Sequence, residues 1–120
     1  MMANQTDILK KNLRRLEDDL NDSGASIELK QQDKIKANLS FIGGDGRIYI
    51  NPASDEYDIS LSGRSLQKNM LKFMTDLCGR IPDGYKQTKP EPHQPYWRVS
   101  NFALVEKAVI HYSKTSTLRG

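Results

Sequence analysis

Residues 39–61, LSFIGGDGRIYINPASDEYDISL, decide the fold. Apolar side chains alternate with polar ones in three short runs: Leu39 and Phe41, then Ile48 and Ile50, then Tyr57, Ile59 and Leu61. A period of two puts every apolar residue of a strand on one face, so each run reads as a half-buried strand. The runs are separated by GGDG and NPASDE, rich in residues that turn the chain and tolerate left-handed backbone. Connections this short join antiparallel neighbours. GGDG also invites comparison with a phosphate-binding glycine loop, but such a loop needs a helix after it, and RIYI follows.

Upstream, Ile27 and Leu29 begin another strand, QQDK at 31–34 supplies a turn, and Ile35 and Ala37 extend the run that ends in Phe41. The expected sheet is a four-strand antiparallel meander. Before it, Thr6 is a plausible helix cap, and Leu9, Leu13, Leu16 and Leu20 form a narrow apolar stripe that ends before Gly24. Such a stripe docks a helix on its own sheet or, less simply, makes a homodimer seam. The polar side carries Lys10, Lys11, Arg14 and Arg15 at its start and Glu17, Asp18, Asp19 and Asp22 at its end. That order opposes the helix dipole, and pairs such as Arg14 with Asp18 and Arg15 with Asp19 put the base first, the weaker arrangement. The four basic residues make a secondary cationic face.

Downstream, Ser65 is a candidate cap for a helix in which Leu66, Met70, Phe73, Met74, Leu77, Cys78 and Ile81 share one broad apolar face. Gly79 and the run Pro82-Asp83-Gly84 end it. Cys78 falls on the buried side, where a thiol is unreactive. Lys68, Lys72 and Arg80 project from the polar side. A last helix, from about Asn101 to Ser113, carries Phe102, Val105, Val109 and Tyr112 on one face. Its tail, 114–120, and residues 1–5 are expected to fray.

Between those two helices lies the oddest segment. Residues 82–95 show neither periodicity and contain Pro82, Pro90, Pro92 and Pro95, four of the chain's five prolines. Proline fixes φ and biases the residue before it toward extended backbone, so the segment reads as a stiff loop with little entropy left to lose on binding. Tyr85, Lys86, Lys89, His93, Tyr96, Trp97 and Arg98 interleave aromatic and basic side chains along it. Residues 96–100, YWRVS, read as a fifth, edge strand with Trp97 and Val99 inward and Tyr96 and Arg98 outward.

The whole is an expected single α+β domain, residues 1–120, in the order α-β-β-β-β-α-β-α, with helices packed on one face of the sheet. A lone cysteine excludes an internal disulfide. Neither a secretory leader pattern nor a run of about 18 apolar residues occurs, so a soluble protein of the reducing cytoplasm, away from membranes, is the expectation.

Charge points to a partner. Residues 1–63 hold 8 Lys and Arg against 11 Asp and Glu, whereas residues 64–120 hold 10 against 4. An anionic partner suits the second half. Lys68, Lys72, Arg80, Tyr85, Lys86, Lys89, His93, Tyr96 and Arg98 are the candidate partner-binding residues. Aromatic rings stack on bases while cations neutralise phosphates, which points to nucleic acid or a nucleoprotein complex. Tyr, Trp and Arg also anchor protein interfaces, so the alternative is an inhibitor or adaptor, of immunity or anti-defence type, docked on an acidic protein surface. No nucleophile elbow, zinc spacing or Walker-type loop is present, and no cofactor is expected. Asp55, Glu56 and Asp58 lack the spacing of a calcium loop. His111 reads as a surface or half-buried residue. Catalysis is left with a dispersed carboxylate site, such as Asp58 with Glu28 in a small metal-dependent nuclease, as the weakest reading.

Overall fold

In a computed structural model, the structure describes residues 5–31, 39–43 and 46–117. Among these the chain forms α1 (Gln5–Asp22), β1 (Glu28–Gln31), β2 (Leu39–Ile42), β3 (Arg47–Ala53), β4 (Glu56–Ser62), α2 (Arg64–Cys78), β5 (Gly84–Gln87), β6 (His93–Val99) and α3 (Phe102–Thr117). The strands make one antiparallel sheet in the order β1-β2-β3-β4-β6-β5. The fold is the expected α+β arrangement, enlarged by one strand.

Strand alternation builds the core as rungs across the sheet. Leu29, Phe41, Ile48 and Leu61 stand opposite one another on β1 to β4, and Leu39, Ile50, Ile59 and Trp97 form the next rung. All eight are buried. Three helices cover this face: α1 lies over β1 and β3, α3 over β3, β4 and β6, and α2 over β4 and β6. Each supplies the residues its periodicity predicts, including Leu13 of α1, Met70 and Met74 of α2, and Val105, Val109 and Tyr112 of α3. Burying a side chain of this size stabilises by about 1.5–3 kcal/mol relative to leaving it exposed.

The inverted charge order of α1 has a structural use. Glu17 is buried at 8% exposure, and its carboxylate accepts the Leu29 backbone N–H at 2.6 Å. Asn21 brackets Ile27, donating to its carbonyl at 2.9 Å and accepting its N–H at 3.0 Å. The acidic end of α1 thus fastens the start of β1. Arg14 pairs with Glu17 at 3.4 Å rather than with Asp18, and Lys10 donates to Gln31 at 2.7 Å. With Leu9, Leu13 and Leu16 buried in this chain's own core, the stripe does not stand free as a dimer seam.

Other expectations are corrected. The segment 82–95 is not a loop throughout: Gly84–Gln87 pairs with β6, and β6 itself begins at His93. Proline hid the start of β6, expected only from Tyr96, because Pro95 sits inside the strand opposite Tyr85, and β5 was not expected at all. As a consequence β6 is internal, between β4 and β5, and β5 is the edge. Thr6 lies inside α1, and α2 starts at Arg64 with Gly63 at its N-cap and no side-chain cap bond, so Ser65 is not the cap. Ile81 leaves the apolar face and is 76% exposed, because Gly79 turns left-handed at φ 72° and swings the chain off the helix axis. Asn101 caps α3, accepting the Ala103 N–H at 2.8 Å, and that helix continues to Thr117, beyond the expected end. The expectations for Ile35, Ala37, most of QQDK, the middle of GGDG and the extreme termini lie outside the described residues.

Candidate nucleic-acid interface

The alternation that buries one face of the sheet lays out the other. Lys30, Ser40, Tyr49, Ser60, Tyr96 and Gly84 stand opposite one another on β1, β2, β3, β4, β6 and β5. Beside this rung run Arg47 and Ser62 on one side and Asn51, Asp58 and Arg98 on the other. No described helix lies over these residues. Ser40 and Ser60 are buried, while Tyr49 and Tyr96 are half-buried.

Tyr96 has a prepared seat. A Cβ on Gly84 would lie 2.8 Å from Tyr96 Cε1 and 3.2 Å from its hydroxyl, so only glycine leaves room for the ring to lean over β5. The Lys86 ammonium sits 4.2 Å from the ring centroid, a cation–π contact, and the Arg98 guanidinium carbon lies at 6.0 Å.

Both cations are held by one carboxylate. Asp58 is 4% exposed; Arg98 grips it through Nε at 2.7 Å and Nη2 at 3.1 Å, and Lys86 reaches it at 2.8 Å. Burial alone pushes the Asp58 carboxyl up, but the hydrogen bonds from Arg98 and Lys86 and their charges outweigh it, leaving the group below the usual carboxylate range. The hydrogen bond to Asp58 likewise raises Arg98 above its ordinary value.

A second pair closes the strand end. Arg80 clamps Asp83 through Nε at 2.9 Å and Nη2 at 2.8 Å, donates to the Arg98 carbonyl, and accepts the Trp97 indole N–H at 3.0 Å through its own carbonyl. Asp83 accepts the Arg98 backbone N–H at 2.7 Å. The Arg80 hydrogen bond holds the Asp83 carboxyl low. Glu56, Arg80, Asp83, Tyr96 and Arg98 line a cleft of about 260 Å³ at this corner.

The nine candidate residues therefore do not form one surface. Arg80, Lys86, Tyr96 and Arg98 converge, with Lys86, Tyr96 and Arg98 on the helix-free face. Lys68 and Lys72 belong to α2, in the helix layer behind the sheet, where Lys72 pairs with Asp76 at 3.2 Å. Tyr85 alternates with Gly84 and Lys86 and so points toward the helix side, 45% exposed. Lys89 is exposed in the connection between β5 and β6. His93 Nδ1 lies 2.8 Å from the Glu91 carbonyl, at a cleft of about 500 Å³ shared with Arg64, Gln67 and the prolines 90 and 92. Of the secondary face, Lys11, Arg14 and Arg15 stay on the exposed side of α1, and Lys10 is half-buried.

Sequence reasoning missed Tyr49, Arg47, Ser60, Asp83 and Gly84. The signal for Tyr49 was present, since Ile48 and Ile50 facing inward leaves Arg47 and Tyr49 outward. Asp83 and Gly84 read only as part of a helix stop; beyond the local clamp by Arg80, the bond of Asp83 to the Arg98 backbone spans 15 residues and the pairing of Gly84 with Tyr96 spans 12. Asp58 does not meet Glu28: β2 and β3 separate their strands, and cations surround Asp58. Among the described residues no group of three or more His, Cys, Asp or Glu is arranged to hold a metal. Cys78 is half-buried, and burial pushes its thiol up. His111 stacks on Phe73 with centroids 3.8 Å apart, between α2 and α3, and burial lowers its imidazole's pKa. No described helix is long and apolar enough to cross a membrane.

Compared with protein-family models, with curated proteins and with solved structures, the chain gives no match.

Proposed function

We propose that this protein binds single-stranded nucleic acid on the helix-free face of its sheet, without chemistry of its own. The observation that carries the reading is the polar rung, on which Tyr49 and Tyr96 flank Ser60 two strand spacings apart, about 10 Å. Half-buried rings at that separation offer stacking platforms to two bases, each worth about 1–3 kcal/mol. Lys30 and Arg47 at one side and Lys86 and Arg98 at the other supply donors for phosphate or base edges. The pairing of Lys86 and Arg98 with Asp58 reduces free charge but fixes their position, which favours defined contacts over diffuse attraction. A duplex, whose bases are already stacked, gains little from such rings.

A second reading has its own observation. Ile81 at 76% exposure and Tyr85 at 45% lie beside the open edge of β5, an arrangement suited to a protein that adds a strand or covers the patch.

Fluorescence anisotropy with a labelled single-stranded dodecamer and its duplex separates the two. The proposal expects the single strand to bind more tightly, with a salt slope of about 0.7 per phosphate contacted. Tyr49→Ala and Tyr96→Ala should each weaken it by roughly 5- to 150-fold, the equivalent of one stacked base. Lys68→Ala, behind the sheet, should change affinity less than twofold. Duplex binding as tight as single-strand binding, or equal damage from Lys68→Ala, would reject the sheet face.

A further inference from the structure

The cleft at the corner of the polar face has a composition unsuited to phosphate. Its lining contains two arginines and two carboxylates, so the charges cancel. Three of the four are spoken for: Arg80 and Asp83 hold each other, and Arg98 holds Asp58 through Nε and Nη2. What is left over is chemically specific. The Glu56 side chain makes no hydrogen bond or ion pair among the described residues, its charge acting on Arg80 and Arg98 only through space, although it is half-buried and lies on the same face as Asp58, two residues away along β4. Arg98 Nη1 likewise has no partner among the described residues, leaving two N–H donors. The Tyr96 ring forms one wall.

An aromatic wall, an unpaired carboxylate and an unpaired pair of guanidinium donors in about 260 Å³ match the edge of one nucleobase. The bases differ in which edge they offer. Only guanine places two adjacent donors, N1–H and the exocyclic amine, next to an acceptor, O6. A carboxylate accepts both donors, and arginine donates to O6. Adenine offers a carboxylate one donor beside an acceptor, and uracil or thymine one donor between two acceptors. Cytosine offers one donor followed by two acceptors.

We infer that this cleft is a guanine subsite, with Glu56 accepting from N1–H and the 2-amino group, Arg98 donating to O6, and Tyr96 stacking on the ring. The inference rests on the single-strand reading above and adds base preference to it. Glu56 is a specificity residue here, since its negative charge opposes phosphate and serves affinity only when the right base is bound.

The test uses a dodecamer of thymidines and variants with one internal dG, dA, dC or deoxyinosine, titrated against the wild type and Glu56→Gln. Guanine should tighten binding by roughly 5- to 150-fold over the all-thymidine strand, the range for one well-matched base contact. Inosine, which keeps N1–H and O6 but lacks the amine, should lose most of that gain. Glu56→Gln should bind the all-thymidine strand at least as tightly as the wild type, because a negative charge is gone, while its guanine preference collapses. If all five strands bind the wild type alike, or if Glu56→Gln keeps the preference, the guanine subsite is wrong while the sheet-face reading stands. If none of the strands binds even at low salt, both readings fall.

Discussion

The two faces of this sheet are made of the same six strands, yet they obey different rules. On the covered face, Leu29, Phe41, Ile48, Leu61 and their neighbours are interchangeable in kind: each contributes by being apolar, large and out of water. On the open face, each residue matters through a particular partner: Asp58 through Arg98 and Lys86, Gly84 through the ring of Tyr96, Asp83 through Arg80 and the Arg98 backbone. Trp97 and Arg98 are adjacent in sequence and show the contrast at its sharpest, one at 0% exposure in the core and the other gripping a carboxylate at the surface. Stability resides on the first face, and it is the second to which we assign recognition.

That division is open to mutation. The largest effect should come from Trp97→Ala, expected to cost about 3–5 kcal/mol in urea unfolding, because it empties a core site and frees the Arg80 carbonyl from its indole partner. A loss under 1 kcal/mol would mean the covered face is not the stabilising one.

Asp58→Asn should cost less, about 1–2 kcal/mol at neutral pH, since the two cations it holds are part-exposed and solvent screens the pairs. It also has a pH signature. The folded carboxyl sits below its ordinary value of 3.8, so its contribution is fully present above that value and is lost as pH falls through the folded pKa. Stability of the wild type should therefore fall more steeply than that of Asp58→Asn below about pH 4. Parallel acid limbs in the two proteins would place the stabilisation elsewhere.

Gly84→Ala tests the seat of the ring. A methyl 2.8 Å from Tyr96 Cε1 must displace it, with an expected stability loss of about 1 kcal/mol and a larger proportional loss of oligonucleotide affinity. An unaltered affinity would show that Tyr96 does not need this position. The smallest effect belongs to Ile81→Ser, within about 0.5 kcal/mol, because the side chain is already in water; a greater loss would return Ile81 to the core.

How far each face was legible in the sequence follows from the same contrast. Burial repeats, so Ile48, Ile50, Ile59 and Leu61 announce strands, and Leu66, Met70 and Met74 announce a helix, without knowledge of their partners. Specific pairings do not repeat. Lys86 and Arg98 were visible as basic residues, but their shared carboxylate is 28 and 40 positions away and was read as part of an acidic cluster or as a partner of Glu28. The same limit grouped Lys68 and Lys72 with residues that lie on the other side of the sheet, since nothing local says which layer of the molecule a polar helix side occupies. Where proline entered, even the periodic signal weakened: Pro95 within β6 hid the first part of a strand that was expected only from Tyr96, and with it the pairing that makes β5.

The most direct test is to map contacts by backbone amide chemical-shift changes as an unlabelled, guanine-containing single strand is titrated into the isotope-labelled protein. The largest changes should fall on Tyr49, Ser60, Glu56, Tyr96 and Arg98, with α2 residues such as Lys68 and Lys72 nearly still. Changes concentrated on α2 and Tyr85, with the polar rung undisturbed, would contradict it.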